Sequence, residues 1–467
     1  MFGRGLPTHN VADLSAAHIT HSLGLQMNST SFASLRKTSL AVAVVAAICG
    51  TGIASAATPA LVSVSHATYM RQGDTVTGTL AQTQPVHIEV ALKMRDRAGL
   101  DAFIASMKSG HVAPMSTEDF MTKHAPGQVQ VQTVVNYLTR MGYTNIVVAR
   151  NRMLVSADGT AATAQRAFLT SMVRVKTHDG RVAYANTTEA KIPALLQDHI
   201  LGVMGLQTVN IAHTFAKVMA HTNAQTLAVT GHSPLDFDTI YGASSAPAAT
   251  GVTVGIFTQG KITQSITDLN TFTSQNGLPT VTTQTVQTGS SSSDASGVVE
   301  WDLDSQDIVG MGGGQVGKII WYNTPTLSEA NMDANFNTIV SANAAKIINV
   351  SIGGCETGAD YQTSDQIFAQ GVAQGQTFSI STGDSGADEC GDGGTTPSLP
   401  ANSQYVIAAS GTRLNAWTTT WSSETVWSDS GGSQSLYEPK PSWQTLWSGA
   451  HRGVADIAFD GDPNSGA

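Results

Sequence analysis

Five short runs rich in apolar and β-branched residues punctuate the second half of this chain: Val252 to Phe257, Lys318 to Tyr322, Lys346 to Ile352, Phe378 to Ser381 and Tyr405 to Ala409. Between them lie stretches of helical character, Ile262 to Gln275, Val298 to Val309, Ala330 to Ala344 and Tyr361 to Gln374. Strands that are nearly continuous in apolar residues have no solvated face, so they belong in a parallel sheet covered by helices on both sides. The alternation predicts an α/β fold whose functional residues gather at the carboxyl ends of the strands and at the adjoining helix starts.

The 467 residues allow more than one domain. From about 85 to 206, strand-like and helix-like segments alternate (His87 to Leu92, Leu100 to Met107, Val131 to Met141, Asn145 to Ser156, Ala161 to Leu169), which predicts a separate compact α+β domain. Ala212 to Ser233 carries no clear strand or hairpin signal and reads as a linker. Near the start, the apolar run Leu40 to Ile48 follows Arg36 and Lys37 and precedes Ala54-Ser55-Ala56. That is the pattern of a secretory signal peptide, too short to span a membrane, with Met27 as an alternative start. Cys49 leaves with such a signal, and Cys355 and Cys390 remain as an even pair that reads as one disulfide in an oxidising compartment.

Charged residues make up only 12% of the chain, against about 25% in typical soluble proteins. The surface must then rely on uncharged polar groups, which do not titrate as pH falls. The net charge of -10 is unevenly divided: residues 251 to 467 contain 6 Lys+Arg and 21 Asp+Glu, while the first 250 are net positive. No basic stripe suggests nucleic-acid binding.

Of 13 histidines only His451 follows residue 250, so a hydrolase built in the later region needs a carboxylate as its general base, which suits acid. Glu300 and Asp304, four apart on a helix-like stretch flanked by Gly297, Trp301 and Ile308, are the candidates. Two carboxyls on a buried face repel, which raises one pKa and lets a proton be shared. The alternative is a solvated helix face, a description that suits Asp302 and Asp307 better. Gly383-Asp384-Ser385-Gly386 looks like the nucleophile loop of trypsin-like proteases, but such enzymes are all-β and need an upstream His. Asp384 is the better functional residue there: a protonated carboxyl in a glycine turn can donate to an oxyanion, although a purely structural turn is the competing reading.

Glu300 to Gln306, Ile348 to Glu356, and Ser381 to Asp384 followed by Cys390 together resemble the sedolisins, the serine-carboxyl peptidases, most closely the pseudomonalisin type. The resemblance extends to Gly231 to Pro234, Tyr241-Gly242 and Lys440 to Gln444, and Pro114 to Phe120 is similar to the family's prosegment. It implies a subtilisin-like parallel sheet preceded by an α+β prosegment, divided as 1–56 leader, 57–221 inhibitory prosegment and 222–467 peptidase domain. It also implies Glu300 as general base, Asp304 as its proton-sharing partner and Asp384 as oxyanion acid. The expected protein is a secreted monomer acting on proteins or peptides, with its own prosegment as intramolecular inhibitor and no nucleic-acid or membrane partner. Three departures matter. The family's nucleophile lies in a Gly-Thr-Ser-x-x-x-Pro motif downstream of a segment matched here by Asp456 to Asp460, and no such motif occurs in these 467 residues. The family's calcium site, nearer the C terminus still, has no match either, and Gly354 stands where relatives can carry an aromatic. The expectation is therefore an endopeptidase precursor inactive as it stands; a non-catalytic peptide-binding paralogue is the rival. A glycan-active enzyme with paired carboxylates fits the spacing less well.

Overall fold

The computed structural model describes residues 60–216 and 232–465. The signal-like run Leu40 to Ile48, Cys49 and most of the linker fall outside these residues.

The amino-terminal portion is built from β1 (Leu61–Ser65), β2 (Thr75–Thr79), β3 (Pro85–Leu92), α1 (Arg97–Lys108), α2 (Thr117–Lys123), α3 (Gln128–Met141), β4 (Thr144–Val148), β5 (Leu154–Thr160), α4 (Ala161–Phe168), β6 (Met172–Lys176), β7 (Val182–Asn186), β8 (Ala190–Pro193) and β9 (Ile200–Met204). Its main sheet, in the order β4-β5-β3-β9, is antiparallel throughout. Strand alternation splits β3 between two cores. Val86, Ile88, Val90 and Leu92 pack with Val134 and Leu138 of α3 and Phe168 of α4. Ala91, on the other face, belongs to the core of the following portion. Asn145 to Ser156, which reads as one segment in the sequence, is instead a hairpin of β4 and β5 whose turn lacks Gly and Pro; Arg152 adopts φ 63° there.

The chain continues through β10 (His213–Thr214), α5 (Phe237–Ile240), β11 (Ala249–Gln259), α6 (Thr263–Gln275), β12 (Thr283–Gln287), α7 (Val298–Met311), β13 (Val316–Thr324), α8 (Glu329–Ala342), β14 (Ile347–Val350), β15 (Ile352–Cys355), α9 (Tyr361–Ala373), β16 (Thr377–Ser381), β17 (Ser398–Leu399), β18 (Ile407–Trp417), β19 (Thr420–Val426), β20 (Gln434–Pro439), β21 (His451–Gly453) and β22 (Ile457–Asp460). The large sheet runs β12-β13-β11-β14-β16-β18, all parallel, with β22 also parallel to β18 and β19 antiparallel at the end. The fold is thus the α/β class of the subtilisin-like sheet, with α6 and α7 packed together and α8 and α9 packed together as its helical layers. Strand order reverses at β11, so β13 and β14 leave in opposite directions and open a crevice at their carboxyl ends.

The two portions share one apolar core. Leu100 and Ile104 of α1 join Phe336, Ile367 and Phe368 of α8 and α9 in a single buried cluster. Polar contacts fix the register across it: Asn151 Nδ2 donates to Asn337 Oδ1 and to Gln370 Oε1 at 2.8 Å, while Gln366 accepts from the Met94 amide at 3.1 Å and donates to the Leu92 carbonyl at 2.8 Å.

Candidate active site

Helix α7 begins at the crevice, and its first turn carries Glu300. Trp301, fully buried, anchors that turn by donating from Nε1 to the Gln259 carbonyl at 3.1 Å. Four residues on, Asp304 lies on the same face, and both carboxyls are buried. Asp304 Oδ1 accepts from Ser351 Oγ at 2.6 Å, and Asn349 Nδ2 donates to the same Ser351 oxygen at 3.2 Å. Ser351 joins β14 to β15, so the sheet's carboxyl edge orients the helix carboxylate. Asp304 Oδ2 is buried with no hydrogen-bond partner. Burial raises the pKa of both Glu300 and Asp304, and Asp304 raises that of Glu300 further. Two such carboxyls hold a proton between them.

Asp384 follows β16 in a loop tied to the segment around Gly431: Thr382 Oγ1 donates to the Gly431 carbonyl at 2.8 Å, the Gly431 amide donates to the Gly383 carbonyl at 2.7 Å, and the Gly386 amide donates to the Asp429 carbonyl at 2.8 Å. Gly383 has φ 96°, a left-handed conformation that disfavours any side chain, and a Cβ there would lie 2.7 Å from Glu389 Oε2 and displace that carboxyl. Asp384 raises the pKa of Glu300 through space, which puts the two in one electrostatic site. They line a cleft of about 660 Å³ together with Asp304, Ser351 and Asp460. Ser385 does not line it; its hydroxyl faces Glu389. Cys355 and Cys390 are bonded and tie the end of β15 to the loop beyond Asp384.

Asp302 and Asp307 are not freely solvated as their positions suggest. Both are half-buried, and burial pushes the Asp307 carboxyl up to about 7 and the Asp302 carboxyl upward beside Asp268. Neighbours distant in sequence cover them, and the helical pattern alone does not reveal that.

The linker supplies what the sequence hides. His213 and Thr214 form β10, antiparallel to β15 in the register His213↔Gly353 and Thr214↔Ile352. The next two amides, of Phe215 and Ala216, both donate to Glu300 Oε2, the first at 2.8 Å. The buried Phe215 ring lies where a Cβ on Gly353 would approach it to 2.9 Å and one on Gly383 to 3.2 Å. A stretch of the chain's own backbone thus occupies the crevice, pairs with its edge strand and covers the candidate base. Two residues of strand have no periodicity to read, so only Gly353 hinted at a close backbone approach.

Among the described residues, no group of three or more His, Cys, Asp or Glu is arranged to hold a metal ion, and no step below runs through one. No described helix is long and apolar enough to cross a membrane.

Residues 72–209 match the family described as Pro-kumamolisin, activation domain. The chain is 44% identical over 426 residues to Sedolisin of Pseudomonas sp. (strain 101), spanning 83% of this chain and 72% of that relative. It is 40% identical over 456 residues to Xanthomonalisin of Xanthomonas sp. (strain T-22), again over 83% of this chain but 55% of the relative. Among solved structures it is similar to a Pseudomonas sedolisin (serine-carboxyl proteinase) complexed with two molecules of pseudo-iodotyrostatin, with 46% identity, a TM-score of 0.48, and coverage of 50% of this chain and 72% of that one.

Proposed function

This chain belongs to the sedolisin family, and from that premise we propose that it is the precursor of a secreted endopeptidase that hydrolyses peptide bonds in acid, with residues 57–221 as inhibitory prosegment. The observation that carries the reading is the polypeptide in the crevice: an extended segment antiparallel to β15, with its amides on Glu300 Oε2. In turnover, a serine hydroxyl takes the place of those amides as the donor to Glu300, which accepts its proton as the oxygen attacks the scissile carbonyl. Asp304, oriented by Ser351, shares that proton. Asp384, protonated, donates to the oxyanion. The docked linker also silences the base. Burial keeps the Glu300 and Asp304 pair protonated up toward neutral pH although the Phe215 and Ala216 amides pull the other way, and water entering the vacated cleft lets the pair ionise in acid. The bonded Cys355 and Cys390 support an oxidising destination. Calcium belongs in the same proposal only for a domain that carries the family's further C-terminal ligands.

The test compares residues 1–467 with a version extended by a Gly-Thr-Ser-x-x-x-Pro segment, on denatured protein at pH 3 to 5. Proteolysis by the extended form alone supports the Ser/Glu/Asp reading. Proteolysis by residues 1–467 reopens Ser385. Inertness of a soluble extended form that binds peptides favours the non-catalytic paralogue.

A further inference from the structure

Behind Gly383, apart from the groups assigned to catalysis, lies a carboxyl that the mechanism does not use. Glu389 is 5% exposed, and neither of its carboxyl oxygens accepts a hydrogen bond among the described residues, although the Ser385 hydroxyl lies beside it. Its backbone is fixed on both sides. The Glu389 amide donates to the Thr396 carbonyl at 3.0 Å, and the next residue, Cys390, is bonded to Cys355 of β15. A buried carboxylate so poorly satisfied is costly to keep.

What faces the carboxyl is the segment in the crevice. His213 Nε2 stands 3.6 Å from Glu389 Oε1, farther than a hydrogen bond allows. His213 pairs with Gly353 of β15, and Phe215, two residues on in extended chain, projects to the same side, where the two rings meet edge to face at 5.1 Å. The Phe215 ring lies between Gly353 and Gly383, and its amide meets Glu300. Glu389 is therefore reached by the side chain two residues before the one that fills this slot.

The charges around Glu389 divide by origin. Arg71 and His213 come from the proposed prosegment, whereas Asp384 and Asp388 come from the portion that remains. The His213 side chain that covers the carboxyl is itself 54% exposed, so this side of the crevice is open to a longer group. We propose that Glu389 selects a basic residue, arginine or lysine, in the substrate at the position that His213 occupies in the precursor. A guanidinium or ammonium on a longer stem closes the gap that His213 leaves and offers several donors to the carboxylate. An uncharged side chain there leaves the carboxylate unsatisfied, and an acidic one is repelled. The substrate preference rests on the peptidase reading; the pairing beneath it does not.

Residues 1–467 test the pairing without turnover, by hydrogen exchange of the peptide holding the Phe215 and Ala216 amides at pH 8, taken relative to α6. His213→Arg should be about fivefold better protected than His213→Gln, the upper range for a partly exposed ion pair. In the Glu389→Gln background the two should exchange alike. Should Glu389→Gln fail to fold, His213→Glu, at a half-exposed position, takes its place and should be less protected than His213→Gln. In a form carrying the Gly-Thr-Ser-x-x-x-Pro segment, peptides are compared that differ only two residues before the residue contributing the cleaved carbonyl. Arg should exceed Gln there by about fivefold in kcat/KM, and Glu389→Gln should erase the difference. An inert extended form defeats the peptidase reading and leaves the exchange result standing. Equal protection of the His213 variants, a ratio that persists in the Glu389→Gln background, or an active form indifferent to Arg overturns the subsite.

Discussion

Glu389 offers a quantitative test of how acid stabilises this fold. Its side chain is almost wholly enclosed behind Gly383, with His213 Nε2 3.6 Å from Oε1, and burial pushes its carboxyl from the ordinary 4.5 up to about 7. Below pH 4.5 the folded and unfolded chains both hold the proton, and burial of the neutral acid carries no charge penalty. Between 4.5 and 7 the unfolded chain releases a proton that the folded chain keeps, so stability falls as pH rises; above 7 the loss is complete. At about 1.4 kcal/mol per pKa unit, the loss is about 3 kcal/mol. Glu389→Gln removes the titration while keeping the shape. The variant should match the parent near pH 4 and exceed it by up to about 3 kcal/mol at pH 8. Urea unfolding followed by tryptophan fluorescence at the two pH values measures the difference. An equal effect at both, or a loss at pH 8, would falsify the assignment of an acid whose burial outweighs His213 and Ser385 beside it.

In a form carrying the nucleophile segment, Glu300→Gln should abolish turnover with the fold intact, Asp384→Asn should cost about 10² to 10³ in rate, and Asp302→Asn should be nearly silent; steady-state rates at pH 4 decide. Phe215→Ala should release the linker, because a ring of this size contributes about 2 to 3 kcal/mol when buried, and exchange of the Phe215 and Ala216 amides should speed at least tenfold; unchanged exchange would show that β10 alone holds the segment. Replacing Cys355 and Cys390, 35 residues apart, with Ala should cost about 4 kcal/mol by the loop-closure argument, read as a lower urea midpoint without a change in the pairing of β14 and β16.

The pairing of Glu300 and Asp304 on α7 was legible because helical spacing is local: residues 300 and 304 share a face whatever surrounds them. Which other acids on that helix are covered was not, because Asp302 meets Asp268 and Asp307 meets Asp304 and Asp460 only after the sheet has folded. The strand runs announced the parallel sheet through their apolar continuity. By contrast, the polar edge strand Thr283–Gln287 and the hairpin of β18 and β19 follow from pairing, which propensity does not encode. Ser385 shows the opposite hazard: a four-residue motif with a strong association, set aside in the sequence in favour of Asp384, is placed by the fold against Glu389 instead of Glu300. The role of Ser351 and the capture of the linker by β15 depend on partners 47 or more residues away.

The continuous core beneath α1 binds assembly and restraint into one trait. Leu100 and Ile104 complete the apolar layer of α8 and α9, so the same contacts that bury this face of the sheet portion are those that hold α1 down. A substitution there that loosens the restraint also removes packing from the shared core and so lowers the stability of the whole fold. Faster activation is then bought with a lower yield of folded chains. Mutational escape from inhibition should therefore concentrate in the linker and its crevice, where Phe215 can change without opening a void in the shared interior, and a screen for early activation should rarely return changes at Leu100 or Ile104.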